Sequence, residues 1–321
     1  MTSFPSGCFP ALGFTAPSGK PSTKLSDWWC KEDDEHGFLG FSYAVNACPS
    51  QAQMKSDFTR MRKDFNARYV RIYSACDTKG FYDQVVNAAY ESNLGVFAMV
   101  WFGFDGGNEW KTRQSALLST IETNSLAPYT IRSFDMGSET LFDHDVSVKE
   151  LAQQIKNVKA AVEKYGIVVS TSDMQYSYVA PGNEGAPKDI LSVVDQVHDH
   201  VLPFFDQDAK DGSNAWRSVL NSVDWFLQNT NNTKKIILTQ TGWPSNTNVW
   251  KANSKTAVAS VKSEQDYYSL IDSKCSELKK KGPRGGIGWF WQIYEDSMLD
   301  GWGILGDDGK PKFKFAPITS C

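Results

Sequence analysis

Leu39-Gly40-Phe41-Ser42-Tyr43, then Met54, Phe58, Met61 and Phe65, then Tyr69-Val70-Arg71-Ile72-Tyr73: the fold follows from this stretch. Its first and last runs are short and rich in aromatic and β-branched residues, which is strand character. Between them apolar residues recur at spacings of four, three and four, which places them on one helical face. Two near-continuously apolar strands flanking an amphipathic helix make a parallel pair covered by that helix.

The same alternation continues along the chain. Strands are predicted at 39–43, 69–73, 96–101, 131–137, 167–171, 196–201, 236–239 and 286–291. Leu151, Ile155, Val158 and Val162 form one helical stripe, with Ser147 and Glu150 as a capping box in front of it. Trp216, Val219, Leu220, Val223, Phe226 and Leu227 form another, and a further helix is predicted over 264–281. Such stripes are core faces rather than cofactor boxes. A doubly wound sheet would also alternate, but the Gly-x-Gly-x-x-Gly turn after the first strand is missing. Eight units in ~280 residues fit a (β/α)8 TIM barrel, an α/β fold, as a single domain over 38–321. Residues 1–37, rich in Pro, Gly, Ser and Lys without periodicity, read as an irregular N-terminal segment.

Composition narrows the function. The 33 Lys+Arg and 37 Asp+Glu give a net charge of −4, which lacks the basic excess of a nucleic-acid binder. The longest strongly apolar run, Leu94–Phe104, falls short of the ~20 residues of a membrane helix, so a soluble protein with no membrane partner is expected. Eleven Trp, 12 Tyr and 19 Phe make the chain rich in flat rings that suit the apolar faces of sugars.

Cys8, Cys30, Cys48, Cys76, Cys275 and Cys321 are even in number and contain no Cys-x-x-Cys pair, so a disulfide framework is expected rather than zinc or thioredoxin chemistry. Cys48 and Cys76 follow adjacent barrel strands, whose loops emerge side by side, so a bridge between them is sterically reasonable. The other four would anchor the leading segment and the C-terminus. Together with the sequon Asn231-Asn232-Thr233, this predicts a secreted or wall-associated glycoprotein. The start at Met1-Thr2-Ser3 lacks the features of a signal peptide, and Met1 reads as replacing a removed leader.

In such a barrel the carboxyl ends of the strands carry the chemistry. Met136-Gly137-Ser138-Glu139-Thr140-Leu141 closes the fourth strand, and Thr239-Gln240-Thr241-Gly242-Trp243-Pro244-Ser245 closes the seventh. With Arg71-Ile72-Tyr73 and the closing run Trp302-Gly303-Ile304-Leu305-Gly306, these segments resemble glycoside hydrolase family 17 in its fungal branch, over about residues 38–315. The resemblance implies a monomeric, cofactor-free and metal-free retaining enzyme acting on β-1,3-glucan, by endo-hydrolysis, glucanosyl transfer or both. Glu139 falls on the family's acid/base and Gln240 on its nucleophile. The family has Glu at that second position, and a retaining mechanism needs two carboxyl groups ~5–5.5 Å apart. An amide keeps the shape but neither the charge nor the nucleophilicity, so the chain should bind substrate and barely turn it over. Two accounts of Gln240 stand: a substitution introduced to trap a sugar complex, or a natural non-catalytic glucan-binding pseudoenzyme.

Further sugar-binding candidates are Tyr73, Ser138, Asp173, His200, Trp243 as a stacking platform, and Gln292, Glu295 and Asp296 after the eighth strand. Arg71 is expected to be an internal ion-pair partner, since a charge inside a barrel must be paired. His198 and His200 share one strand face, as metal ligands would, but a sugar-hydroxyl role for His200 is the preferred reading. No Gly-x-Ser-x-Gly elbow supports a Ser–His–Asp hydrolase.

Overall fold

The computed structural model describes residues 7–104 and 106–321. Residues 1–6, on which the reading of Met1 rests, lie outside the described residues. Among those described, parallel strands close a barrel in chain order: β1 (Gly37–Ala44), β2 (Tyr69–Tyr73), β3 (Gly95–Val100), β4 (Ile131–Ser138), β5 (Val168–Asp173), β6 (Val197–Val201), β7 (Ile236–Thr241) and β8 (Gly288–Trp291), which pairs back onto β1. The helices are α1 (Leu25–Trp28), α2 (Gln51–Phe65), α3 (Phe81–Glu91), α4 (Glu109–Thr123), α5 (Val148–Val162), α6 (Ala186–Leu191), α7 (Trp216–Asn229), α8 (Val261–Ser273) and α9 (Cys275–Lys281). The TIM-barrel expectation is met. No helix among the described residues is long and apolar enough to cross a membrane.

The stripes that predict α2 and α5 are buried where the spacing puts them: Met54, Phe58, Met61 and Phe65 in α2, and Leu151, Ile155, Val158 and Val162 in α5. In α7, Val219, Val223 and Phe226 are buried, while Trp216, Leu220 and Leu227 are half-buried. Ser147 caps α5 by accepting the Glu150 N–H at 3.2 Å. The helix expected over 264–281 is two, α8 and α9, separated at Lys274. α3 and α6 are helices beyond those the named stripes predict: α3 sets Asp83, Gln84, Asn87 and Glu91 on a polar face opposite its buried side, and α6 is six residues long. α4 buries only Trp110, Leu117, Thr120 and Ile121, too few to mark a strong face.

Alternation along the strands layers the barrel interior. Leu39, Tyr69, Phe97, Ile237 and Phe290 form an apolar layer at the amino end. One step further, β2 places Arg71 inside, and two more residues bring Tyr73 to the mouth. The floor is thus greasy and the next layer polar.

The leading segment closes the amino end. Its Glu35 is fully buried and accepts a hydrogen bond from the Tyr69 hydroxyl at 2.8 Å and an ion pair from Arg132 at 2.7 Å. Lys235 donates to the Glu32 carbonyl at 2.9 Å and Arg68 to that of Asp34 at 2.7 Å. Outside the barrel, Phe9 and Trp28 stack at 5.1 Å against Tyr90 and Tyr129. The cysteines pair as Cys8–Cys30, Cys48–Cys76 and Cys275–Cys321. This matches the expected bridge between the first two loops and the anchoring of the C-terminus, whereas Cys8–Cys30 closes a loop within the leading segment itself.

Removing one partner from a buried ion pair leaves the other charge uncompensated. Glu35→Ala should therefore lower stability by about 3–5 kcal/mol, read as a reduced urea midpoint with an unchanged slope.

Candidate active site

The carboxyl end of β4 is built to turn sharply. Gly137 has φ +87°, and a Cβ there would lie 1.9 Å from the Thr140 hydroxyl oxygen, so only glycine fits. Glu139 follows in the left-handed region at φ +62°, which is strained for a side-chain-bearing residue. Its backbone is held on both sides: the Glu139 N–H donates to the Ser172 carbonyl at 2.8 Å, and the Glu139 carbonyl accepts from Asp143 at 2.8 Å. Asp173 sits behind this turn with no exposure and accepts the Leu141 and Met174 N–H groups at 2.7 and 2.8 Å. Burial, reinforced by the Glu139 charge and opposed by these bonds, pushes the Asp173 carboxyl up to about 7. Asp173 thus braces the turn that presents Glu139, and its burial and backbone partners differ from the hydroxyl-binding part expected of it.

A hydrogen-bonded chain joins Glu139 to Gln240. His200 Nδ1 lies 3.1 Å from Glu139 Oε1, and His200 Nε2 lies 3.2 Å from Arg71 Nη2. Arg71 Nη1 donates to Gln240 Oε1 at 3.0 Å. Ser138 Oγ accepts from Arg71 at 3.1 Å and donates to the same Gln240 oxygen at 3.3 Å. Gln240 lies inside β7, opposite His200 in β6, rather than beyond the strand end. A guanidinium has only donors, so the Gln240 carbonyl must be the end turned inward and the carboxamide nitrogen the end turned away.

Arg71 is fully buried and, among the described residues, has no carboxylate at hydrogen-bond distance; its partners are neutral. This corrects the expected internal ion pair: with an amide at 240, the anions acting on Arg71 are Asp135 and Glu139, which oppose the effect of burial. Burial alone would raise Asp135, but His198, 2.9 Å away, and Arg71 hold it below the usual carboxylate range. Burial, together with Arg71, drives His200 down to about 4 against the pull of Glu139. Asp143 is pushed up to about 6 by burial and then by Glu139. The two histidines face different neighbours, Asp135 for His198 and the Glu139–Arg71 pair for His200. His200 therefore has no free nitrogen for a sugar hydroxyl, as had been expected of it.

Tyr73 flanks the chain, its ring 5.8 Å from the Arg71 guanidinium and 5.6 Å, edge-on, from Trp101. Trp243 does not line the cleft. It is 1% exposed, packs edge-on against Phe204 at 5.4 Å, and donates its indole N–H to the Val258 carbonyl at 2.9 Å. The strand that delivers Gln240 turns it into the core, so it offers no stacking face. Gln292 is fully buried, and Asp296 bridges Lys312 at 3.1 Å and the Gly303 N–H at 2.8 Å, which ties the closing loop. Glu295 is half-buried, its backbone bridged to Leu305. None of these three hydrogen-bonds to the Glu139–Gln240 chain among the described residues.

The exposed rings at the mouth are ones that sequence reasoning missed. Phe142 and Tyr176, 46% and 49% exposed, meet edge-on at 5.8 Å. With His200, Phe205, Asp206 and Asn253 they line a groove of about 610 Å³. Across the mouth Phe104, 76% exposed, leans on Trp101 at 5.1 Å. The aromatic excess pointed to such rings, but strand and helix periods do not place loop residues.

Comparisons with known proteins show the family and the fold. The family described as the BtgE/BtgC glycoside hydrolase domain matches residues 40–294. A Saccharomyces cerevisiae protein described as probable family 17 glucosidase SCW10 is 20% identical over 80% of this chain, which spans 64% of that protein's length. A Candida albicans glucan 1,3-beta-glucosidase is 26% identical over 65% of this chain and 70% of its own length. Among solved structures, a Rhizomucor miehei beta-1,3-glucanosyltransferase of glycoside hydrolase family 17 superposes with a TM-score of 0.70 at 22% identity, covering 87% of this chain and 98% of that one. An active-site mutant of the Rhizomucor miehei enzyme in complex with laminaritriose gives the same TM-score at 21% identity, with the same coverage of both chains.

Two predictions follow from the burial of these groups. Trp243→Ala should cost about 3–5 kcal/mol of stability as a cavity, read by denaturant unfolding. Asp199 is fully buried, accepts from the Ser222 hydroxyl at 2.8 Å, and is raised by burial from 3.8 to about 8. The unfolded chain thus releases this proton near pH 4 and the folded chain near pH 8, so the group's contribution to stability falls as pH rises through that window. Asp199→Asn should flatten that fall when urea unfolding is compared at pH 5 and pH 8.

Proposed function

Because the chain belongs to the BtgE/BtgC glycoside hydrolase family, we propose that its barrel mouth binds β-1,3-glucan and that Glu139 and position 240 are its acid/base and nucleophile positions. The observation that carries this reading is the hydrogen-bonded chain from Glu139 through His200 and Arg71 to Gln240 at the carboxyl end of the barrel. The exposed rings of Phe104, Phe142 and Tyr176 beside it suit the faces of glucose units. The yeast and Candida relatives and the laminaritriose-bound neighbour support the choice of substrate. The disulfides and the exposed sequon residue Asn231 support a secreted, glycosylated, wall-associated protein.

In a retaining reaction Glu139 protonates the leaving oxygen while a carboxylate at 240 attacks the anomeric carbon; water or a second sugar then takes the glycosyl unit. Gln240 stops the attack, since its oxygen is committed to Arg71 and Ser138 and its nitrogen is not a nucleophile. That commitment favours a second reading, in which the chain binds glucan without cutting it.

One substitution separates the two. Gln240→Glu should raise turnover of laminari-oligosaccharides by on the order of 10³-fold or more. The β configuration should be kept in anomer-resolved NMR, and Glu139→Gln in the same background should abolish the gain. If Gln240→Glu stays inert on every β-glucan while the parent chain binds laminari-oligosaccharides, the binding reading replaces the enzymatic one. Equal affinity for laminari- and cello-oligosaccharides in calorimetry would contradict the linkage preference.

A further inference from the structure

His200 is buried, with its imidazole between Arg71 and Glu139, the two charged side chains at hydrogen-bond distance from it among the described residues. Arg71 cannot accept a hydrogen bond, so the ring nitrogen facing it, Nε2, must carry a lone pair. A neutral ring with a bare Nε2 has its proton on Nδ1, and Nδ1 lies 3.1 Å from Glu139 Oε1. An imidazolium would present a proton to a guanidinium and is excluded at this spacing. We propose that His200 is a positioning residue that holds Glu139 as a fixed hydrogen-bond acceptor, its Nδ1–H committed to the carboxylate because Arg71 occupies Nε2.

The consequence bears on what the mouth recognises, and it rests on the glucan reading above. The His200 side chain has no exposure whereas that of Glu139 is 26% exposed, so the imidazole is the buried support and the carboxylate the end a ligand meets. With Oε1 engaged by His200, the remaining lone pairs of Glu139 accept from a hydroxyl. Gln240, its carbonyl turned inward, offers the opposite polarity through its carboxamide nitrogen. Acceptor and donor are both set by Arg71, one through His200 and one directly. Such a pair reads sugar hydroxyls, and Glu139 can carry a proton on its other oxygen while Oε1 still accepts from His200, so the support serves a donor as well as an acceptor.

Imidazole 15N NMR of the full chain at pH 7 tests the tautomer without any sugar. The chain has four histidines, and the signal lost in His200→Phe identifies the one in question. The expected pattern is a protonated Nδ1 and a bare Nε2, the reverse of the form free histidine favours; a protonated Nε2 or an imidazolium would overturn the proposal. Calorimetry with laminaritetraose supplies the second arm. His200→Phe should weaken binding by about tenfold, the worth of one charge-assisted hydrogen bond. His200→Gln, which can accept from Arg71 and donate to Glu139, should stay within about threefold of the parent. Equal losses in both variants at unchanged melting temperature would mean the ring matters only as packing. If the parent binds no laminari-oligosaccharide, the glucan reading fails while the tautomer result still decides the positioning role.

Discussion

A guanidinium sealed inside a barrel is the constraint on which the mouth depends. Arg71 has no exposure, and removing a cation from water is costly unless acceptors surround it. Strands β1, β4, β5, β6 and β7 each supply one: Ser42, Ser138, Ser172, His200 and Gln240. Because the guanidinium donates and never accepts, every neighbour must turn an oxygen or a bare nitrogen toward it. This fixes the Gln240 carboxamide, the His200 tautomer and the Ser138 hydroxyl in one step. Asp135 reaches the same cluster through Ser172, whose hydroxyl donates to it at 3.1 Å. The negative charge that offsets Arg71 thus comes from below and from Glu139, not from position 240.

Much of this was legible in the sequence. Strand runs and helical stripes give the barrel because burial on both faces of a parallel sheet writes itself as apolar runs. Glu139 and Gln240 were legible as strand-terminal positions within a recognisable motif. Trp243 was misread because the residue after a strand end can turn either to the mouth or to the core, and sequence spacing does not distinguish them. Asp173 was misread for a related reason. A carboxylate at a strand end looks like a ligand-binding group, but this one is consumed by the backbone N–H groups of Leu141 and Met174. Phe142 and Tyr176 were missed because their exposure is set by loop geometry, which has no period.

The chemistry of the mouth is assembled from side chains that each do something local. Gly137 permits the turn, Asp173 holds it, Glu139 is presented by it, and His200 supports the carboxylate. The match to the BtgE/BtgC family extends over the strands that carry all four. Gln240 differs from a glutamate only in an amide nitrogen where a carboxylate oxygen would stand. The shape of the site survives it because Arg71 accepts either group as a partner.

The leading segment has a consequence for where this fold can be cut. The family match begins at residue 40, three residues into β1. Glu35, which precedes that boundary, neutralises Arg132 at the start of β4, the strand whose other end turns into Glu139. A fragment trimmed to the matched region would leave the Arg132 guanidinium and the Tyr69 hydroxyl without their carboxylate at the barrel floor. Such a fragment would keep every residue of the mouth and lose the strut beneath one side of it. The region matched by the family model is therefore smaller than the set of residues that pair its buried charges, and Glu35 is the counter-charge of Arg132 in β4.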